Sequence, residues 1–175
     1  MKQLDGTAMK RLHREWRRKT DARLAQLVEG VQGPFNLGSI LRTAAAYRVE
    51  HLWIVATDTL PTNPKVGKTA LGSERFVQWT ACETAAEALA LVSSAGFQTV
   101  AIELTDRATP LDRIDLAPPT CLILGHEDRG ISSATLDAAD RVAFLPQLGK
   151  IGSLNVATAA AIAMYEARRQ ALNNG

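Results

Sequence analysis

Three short polar turns hold the residues of this chain that could do chemistry. The first, Asn36-Leu-Gly-Ser-Ile-Leu-Arg42-Thr43, carries an amide and a guanidinium six residues apart. The second, Leu122-Ile-Leu-Gly-His-Glu-Asp-Arg-Gly130, sets Glu127 between Gly125 and Gly130. The third, Leu145-Pro-Gln-Leu-Gly-Lys-Ile-Gly-Ser-Leu-Asn155, places Gly149 and Gly152 just before Ser153 and Asn155. A long alanine-rich helix is expected to open at Ser153. Glycines ahead of a helix N-terminus let backbone approach a ligand closely, and the free amides there favour anions and polar groups. Six residues are close to two helical turns, so Asn36 and Arg42 are expected along one helix edge.

Other ligand chemistries lack their residues. Val66-Gly-Lys-Thr69 looks like the end of a phosphate loop, but Thr62 stands where that motif needs glycine. No G-x-G-x-x-G fingerprint and no Gly-x-Ser-x-Gly elbow occur. His126-Glu127 has no second histidine at helical spacing, and His13, His51 and His126 form no ligand cluster. No metal is expected.

The elements that must position these turns follow from periodicity. Apolar or alternating runs predict strands at 24–31, 51–56, 76–80, 97–104, 120–124 and 141–145. Leu37, Ile40, Leu41 and Ala44 share one face of a helix over 35–47. Thr84 and Glu87 make a capping box that opens a helix ending before Gly96. A short helix begins at Ser132 or Ser133, and the last helix runs to about Gln170. Thr57 to Lys65 reads as a loop, residues 66–75 give no clear pattern, and Thr105 to Pro119 reads as a loop. Strands alternating with helices argue for an α/β domain with a mostly parallel sheet flanked by helices. Ligands of such sheets bind beyond the carboxyl ends of the strands, where all three polar turns fall.

Length and composition bound the rest. With 175 residues, 46% of them hydrophobic and 22% charged, one globular domain with a sizeable core is expected. No apolar run approaches a membrane span, and the polar N-terminus shows no secretory signal. Cys82 and Cys121 read as free thiols of a cytoplasmic protein. The overall charge of +2 is unevenly placed: residues 1–23 hold eight Lys/Arg against three Asp/Glu, a local +5. Residues 1–23 are therefore set apart as a basic N-terminal helix. Lys10, Arg11, Arg14, Arg17, Arg18 and Lys19, with Trp16 among them, suit an RNA phosphate backbone. The competing reading is a solvated amphipathic helix with Leu12 and Trp16 packed on the body.

Taken in order, the three turns resemble the three motifs of the SpoU/TrmH family, S-adenosylmethionine-dependent RNA ribose 2′-O-methyltransferases of the SPOUT class. The resemblance runs from about Leu24 to Arg169, and its third motif is the most specific. It implies a methyltransferase domain over 24–175 with a C-terminal deep trefoil knot, which no periodicity could show. It implies donor contacts from Gly125, Leu145 and Leu154, with Gln147, Gly149 and Ile151 close by. Leu145 and Leu154 could equally pack in the core.

Arg42 matches the family's catalytic arginine. A guanidinium stays protonated, so gripping the phosphate beside the target ribose suits it better than acting as a base. Asn36 would hold the ribose or Arg42, or cap its helix. Glu127 would orient Asn36 and Arg42 or anchor a knot turn through backbone N–H groups, while Ser153 and Asn155 would satisfy helix-start amides and touch substrate. The family also implies a homodimer through the knot region and last helix. The basic helix tilts the expected substrate towards tRNA, perhaps its D-loop guanosine, with rRNA ribose methylation as alternative. A non-catalytic RNA-binding module of the same fold is the competitor outside enzymes.

Overall fold

The computed structural model describes residues 3–173. Seven strands make one sheet: β1 (Leu24–Glu29), β2 (His51–Val55), β3 (Gln78–Cys82), β4 (Gln98–Ile102), β5 (Thr109–Pro110), β6 (Thr120–Leu124) and β7 (Arg141–Phe144). Their spatial order is β3-β2-β1-β6-β4-β7-β5. Every pairing is parallel. Six helices accompany them: α1 (Gly6–Arg17), α2 (Pro34–Ala46), α3 (Pro64–Ala70), α4 (Ala85–Ser94), α5 (Ser133–Ala138) and α6 (Val156–Asn173).

Central position explains the strand sequences. β1 and β6 lie mid-sheet and are buried on both faces, which is why their residues are mostly apolar. Alternation then divides the core. Leu24, Val28, Leu122 and Leu124 pack with α2, α3 and α6, while Ala25, Leu27, Cys121 and Ile123 pack with α4. Gln26 falls on the first of these faces by register and is fully buried. Its amide finds no hydrogen-bond partner among the described residues.

The unreadable stretch after β2 holds α3 and a single 3₁₀ turn at Ser73–Phe76. Asn63 caps α3 through its side chain and Pro64 starts it. The phosphate-loop-like Val66-Gly-Lys-Thr69 is therefore helix. α3 lies hard against α2 because Gly38 has no side chain: a Cβ there would stand 2.6 Å from the Val66 carbonyl. β3 begins two residues later than expected, since Phe76 belongs to the 3₁₀ turn and is exposed. The capping box forms with a shifted return bond. Thr84 Oγ1 accepts from Glu87 N, whereas Glu87 Oε2 accepts from Glu83 N.

α6 opens at Val156, three residues after the expected Ser153. Asn155 caps it, accepting from Ala157 N at 3.0 Å and Thr158 N at 3.2 Å. The helix is fastened by Arg168, which is 8% exposed. Its guanidinium donates to the carbonyls of Ala22, Tyr47 and Arg48. Burial, with Arg48 nearby, brings Arg168 down to about 10. Arg48, at φ 55°, donates in turn to the carbonyls of Arg17 and Thr20. Two arginines thus hold the chain that leads from α1 into β1.

α1 itself buries nothing. Leu12 and Trp16 are exposed, so they do not pack on the body as one reading had it. Asp5 caps α1, and Lys19 Nζ sits 3.6 Å from the Trp16 ring centroid.

Candidate active site

A cavity of about 310 Å³ opens at the carboxyl ends of β4, β6 and β7, capped by the N-terminal turn of α6. This is where open parallel sheets bind ligands, and its size suits a nucleoside-scale molecule. Two turns wall it, one following β6 and one following β7.

The first wall is held shut by its own backbone. His126 N donates to Gly130 O, and Gly130 N donates to His126 O. His126 Nδ1 accepts from Asp128 N at 3.0 Å. Gly125 has no room for a side chain, because a Cβ there would strike Gly130 and Ile131 backbone. Gly130 is left-handed at φ 67°, and a Cβ there would strike Glu103.

Glu127 reaches from this wall to the turn between β1 and α2. Its Oε1 accepts from Asn36 Nδ2 at 2.9 Å and Gly33 N at 3.1 Å, and its Oε2 from Gln32 N at 3.3 Å. Partial burial works to raise this carboxyl. The hydrogen bonds from Asn36, its own backbone, Gly33 and Gln32 outweigh burial and hold it below its ordinary value of 4.5. Glu127 is thus an ionised acceptor already in use, which suits positioning better than proton abstraction.

The network runs on through Asn36. With its amide nitrogen committed to Glu127, its Oδ1 accepts from Asn155 Nδ2 at 3.0 Å. Asn155 Oδ1 is then free to cap α6. One chain of hydrogen bonds therefore joins the 125–131 turn, the start of α2 and the start of α6. Three residues taken from three separate motifs meet in it.

The other expected residues fall into two groups. Gly125, Glu127, Leu145, Gln147, Ser153 and Leu154 line the cavity. Among the described residues Asn155, and not Ser153, makes the helix-start side-chain hydrogen bonds. Gly149 and Ile151 lie on the exposed part of the second wall, outside the lining. Arg42 is exposed on α2, is not in the lining, and pairs with no group among the described residues. Six residues turn an α-helix by about 600°, which leaves Arg42 a third of a circle away from Asn36 rather than along one edge. The basic residues of α1 lie outside this cavity. No cluster of three or more metal-ligating side chains exists among the described residues.

Two residues of the site had been given no role by motif reading. Glu103, just past β4, accepts from Ile131 N at 3.0 Å and lines the cavity. His126 shapes the first wall through Nδ1. The one signal for Glu103 was a carboxylate directly after an apolar strand.

Fold and site define an α/β protein with a nucleoside-sized cavity where the carboxyl ends of parallel strands meet a capped helix. The chain belongs to the SpoU rRNA Methylase family, whose model matches residues 24–165. It is 38% identical over 149 residues to an uncharacterised tRNA/rRNA methyltransferase of Synechocystis, covering 85% of this chain and 54% of that one. It is 35% identical over 159 residues to the tRNA (guanosine(18)-2′-O)-methyltransferase of Escherichia coli, covering 91% and 68%. The crystal structure of the AdoMet-bound rRNA methyltransferase from Sinorhizobium meliloti superposes with a TM-score of 0.78 at 30% identity, covering 86% and 57%. The chain thus spans about half the length of the Synechocystis relative.

Proposed function

We propose that this chain transfers the methyl group of S-adenosylmethionine to a ribose 2′-hydroxyl of structured RNA. The observation that carries this reading is the Glu127–Asn36–Asn155 network. It fixes the mouth of a nucleoside-sized cavity in a member of this family.

The residues present fit the methyl donor. The cavity has the right scale, its floor is apolar through Leu124, Leu145 and Leu154, and its walls offer turn backbone for an adenine edge. When bound, the donor supplies an electrophilic methyl on a sulfonium. The chain's part is to bring a poor nucleophile to it. Arg42 grips the phosphate beside the target ribose through two parallel N–H bonds, and its charge stabilises the developing alkoxide. Asn36, held by Glu127, fixes the ribose face. The hydroxyl proton passes to the phosphate or to water, and S-adenosylhomocysteine leaves.

The finer parts of the reading rest on the same basis. The 24–175 domain carries a trefoil knot formed by the two cavity walls, and it acts in the cytoplasm. It works as a homodimer through the knot region and α6. Exposed Leu148, Ile151, Ile162 and Tyr165 favour a covered surface there. Residues 1–23 bind RNA, since α1 presents its charges and Trp16 to solvent. A tRNA is the favoured substrate, with a D-loop guanosine the first nucleotide to test. The rRNA alternative is supported by the family's own description and the Sinorhizobium relative.

The test is incubation with labelled donor and total RNA, followed by mapping of the modified nucleotide. A 2′-O-methylated tRNA guanosine supports the favoured reading, and a labelled rRNA ribose supports the alternative. Donor binding without label in any RNA favours the non-catalytic module. Arg42→Ala is expected to lower transfer by about a hundredfold or more while donor affinity stays unchanged. Loss of donor binding in that variant would reassign Arg42. Deleting residues 1–23 is expected to flatten the salt dependence of RNA affinity.

A further inference from the structure

The 125–131 turn is braced by two carboxylates from opposite sides, and they are not equivalent. Glu127 spends its oxygens on Gln32, Gly33 and Asn36. Glu103 lies on the other flank, where β4 meets β7; its backbone N–H donates to Ala143 O. Its Oε2 accepts from Ile131 N at 3.0 Å and its Oε1 from Leu104 N at 3.1 Å. A carboxylate offers about four acceptor positions, so two are left, one on each oxygen. No cation pairs with Glu103 among the described residues, and its side chain borders the cavity.

We propose that Glu103 accepts the vicinal ribose hydroxyls of the methyl donor and so selects a ribonucleoside ligand. This rests on the donor reading above. A carboxylate at the end of a parallel strand, with one open acceptor per oxygen, matches two adjacent hydroxyl donors; other nucleotide folds meet a ribose with an acidic residue in a similar place. The two backbone bonds fix the carboxylate before the ligand arrives, so its ordering costs little on binding. The polar network at Glu127, on the flank away from Glu103, is where the reacting end belongs. A sugar held at Glu103 therefore directs the sulfonium towards Asn36 and Asn155.

The probes are S-adenosylhomocysteine and its 2′,3′-dideoxy analogue, titrated calorimetrically with the full chain. The wild type is expected to bind the diol ligand about tenfold to a hundredfold more tightly, as two charge-assisted hydrogen bonds allow. In Glu103→Gln that preference is expected to shrink to about threefold or less. Glutamine keeps one acceptor for Ile131 N, so the turn survives, and Glu103→Asp checks the reach. Wild type that binds both ligands equally overturns the Glu103 assignment and leaves the donor reading standing. So does a Gln variant that weakens both ligands by one factor, which leaves Glu103 only a brace. Wild type that binds neither overturns the donor reading itself.

Discussion

The 125–131 turn and the 145–155 turn wall the same cavity, and each carries two glycines. In the first, a Cβ at Gly125 or Gly130 would collide with backbone or with Glu103. In the second, a Cβ at Gly149 or Gly152 would meet no atom within 4 Å. The first turn is pinned by Glu103, Glu127 and its own 126–130 pairing. The second stands in solvent, with Leu148 102% and Ile151 66% exposed. Glycine therefore means two things here: packing inside one chain demands it in the first wall, and nothing described in this chain demands it in the second.

Substitutions can break that contrast. Gly125→Ala carries the largest expected effect. It forces backbone apart in a filled site and should cost about 3 kcal/mol in denaturant unfolding. A cost near zero would mean the wall is slack.

Glu127 comes next, and its effect depends on pH. Its folded carboxyl lies below the ordinary 4.5, so its contribution is complete above that value and is lost as pH falls through the folded one. Glu127→Ala should cost about 1–2 kcal/mol at pH 7, discounted for partial exposure. The gap from wild type should close on acidification, as a series of unfolding titrations would reveal. A gap that persists unchanged at low pH would show that packing, not the charge, is what Glu127 contributes.

A smaller effect sharpens the comparison. Gln26→Leu replaces a buried amide lacking partners with an apolar side chain of similar bulk, and should raise stability by about 1 kcal/mol. Combined with Gly125→Ala, it should restore about a third of the lost unfolding stability without recovering ligand affinity, because Gln26 lies in the sheet and not at the wall. The smallest effect belongs to Gly149→Ala, within about 0.5 kcal/mol in stability. A much larger loss in dilute monomer would show that the second wall packs more tightly than its open surroundings suggest.

How much of this was readable depends on the element. β2, β4 and β6 declared themselves as mostly apolar runs, as strands buried on both faces do, while β1 showed only a weak alternation because it carries Gln26 and Glu29. α3 did not, because its seven residues hold Pro64 and Gly67 and span two turns, too few for periodicity to register. β5 is two residues ending in a proline and was hidden in a loop. Within the site, the motifs delivered Asn36, Glu127 and Asn155 as separate residues. The link from Glu127 to Asn36 came only from the family resemblance, and the bond from Asn155 to Asn36 was not legible at all, since these pairs lie about a hundred residues apart. The expected shared edge for Asn36 and Arg42 failed on helix geometry alone, and Arg168 was masked by the alanines around it.

The sequence by itself determined the parallel α/β class, the apolar strands and the identity of the three turns. These depend on local pattern and on residue types that chemistry requires. Only the tertiary structure decided the strand order, the wholly parallel pairing and the joining of the turns. It also set Glu103 and Glu127 on opposite flanks of one wall and gave the two glycine pairs different meanings. The reason is physical: a hydrogen bond or a steric clash across the fold depends on where crossover connections carry the chain, and local propensity does not encode that path.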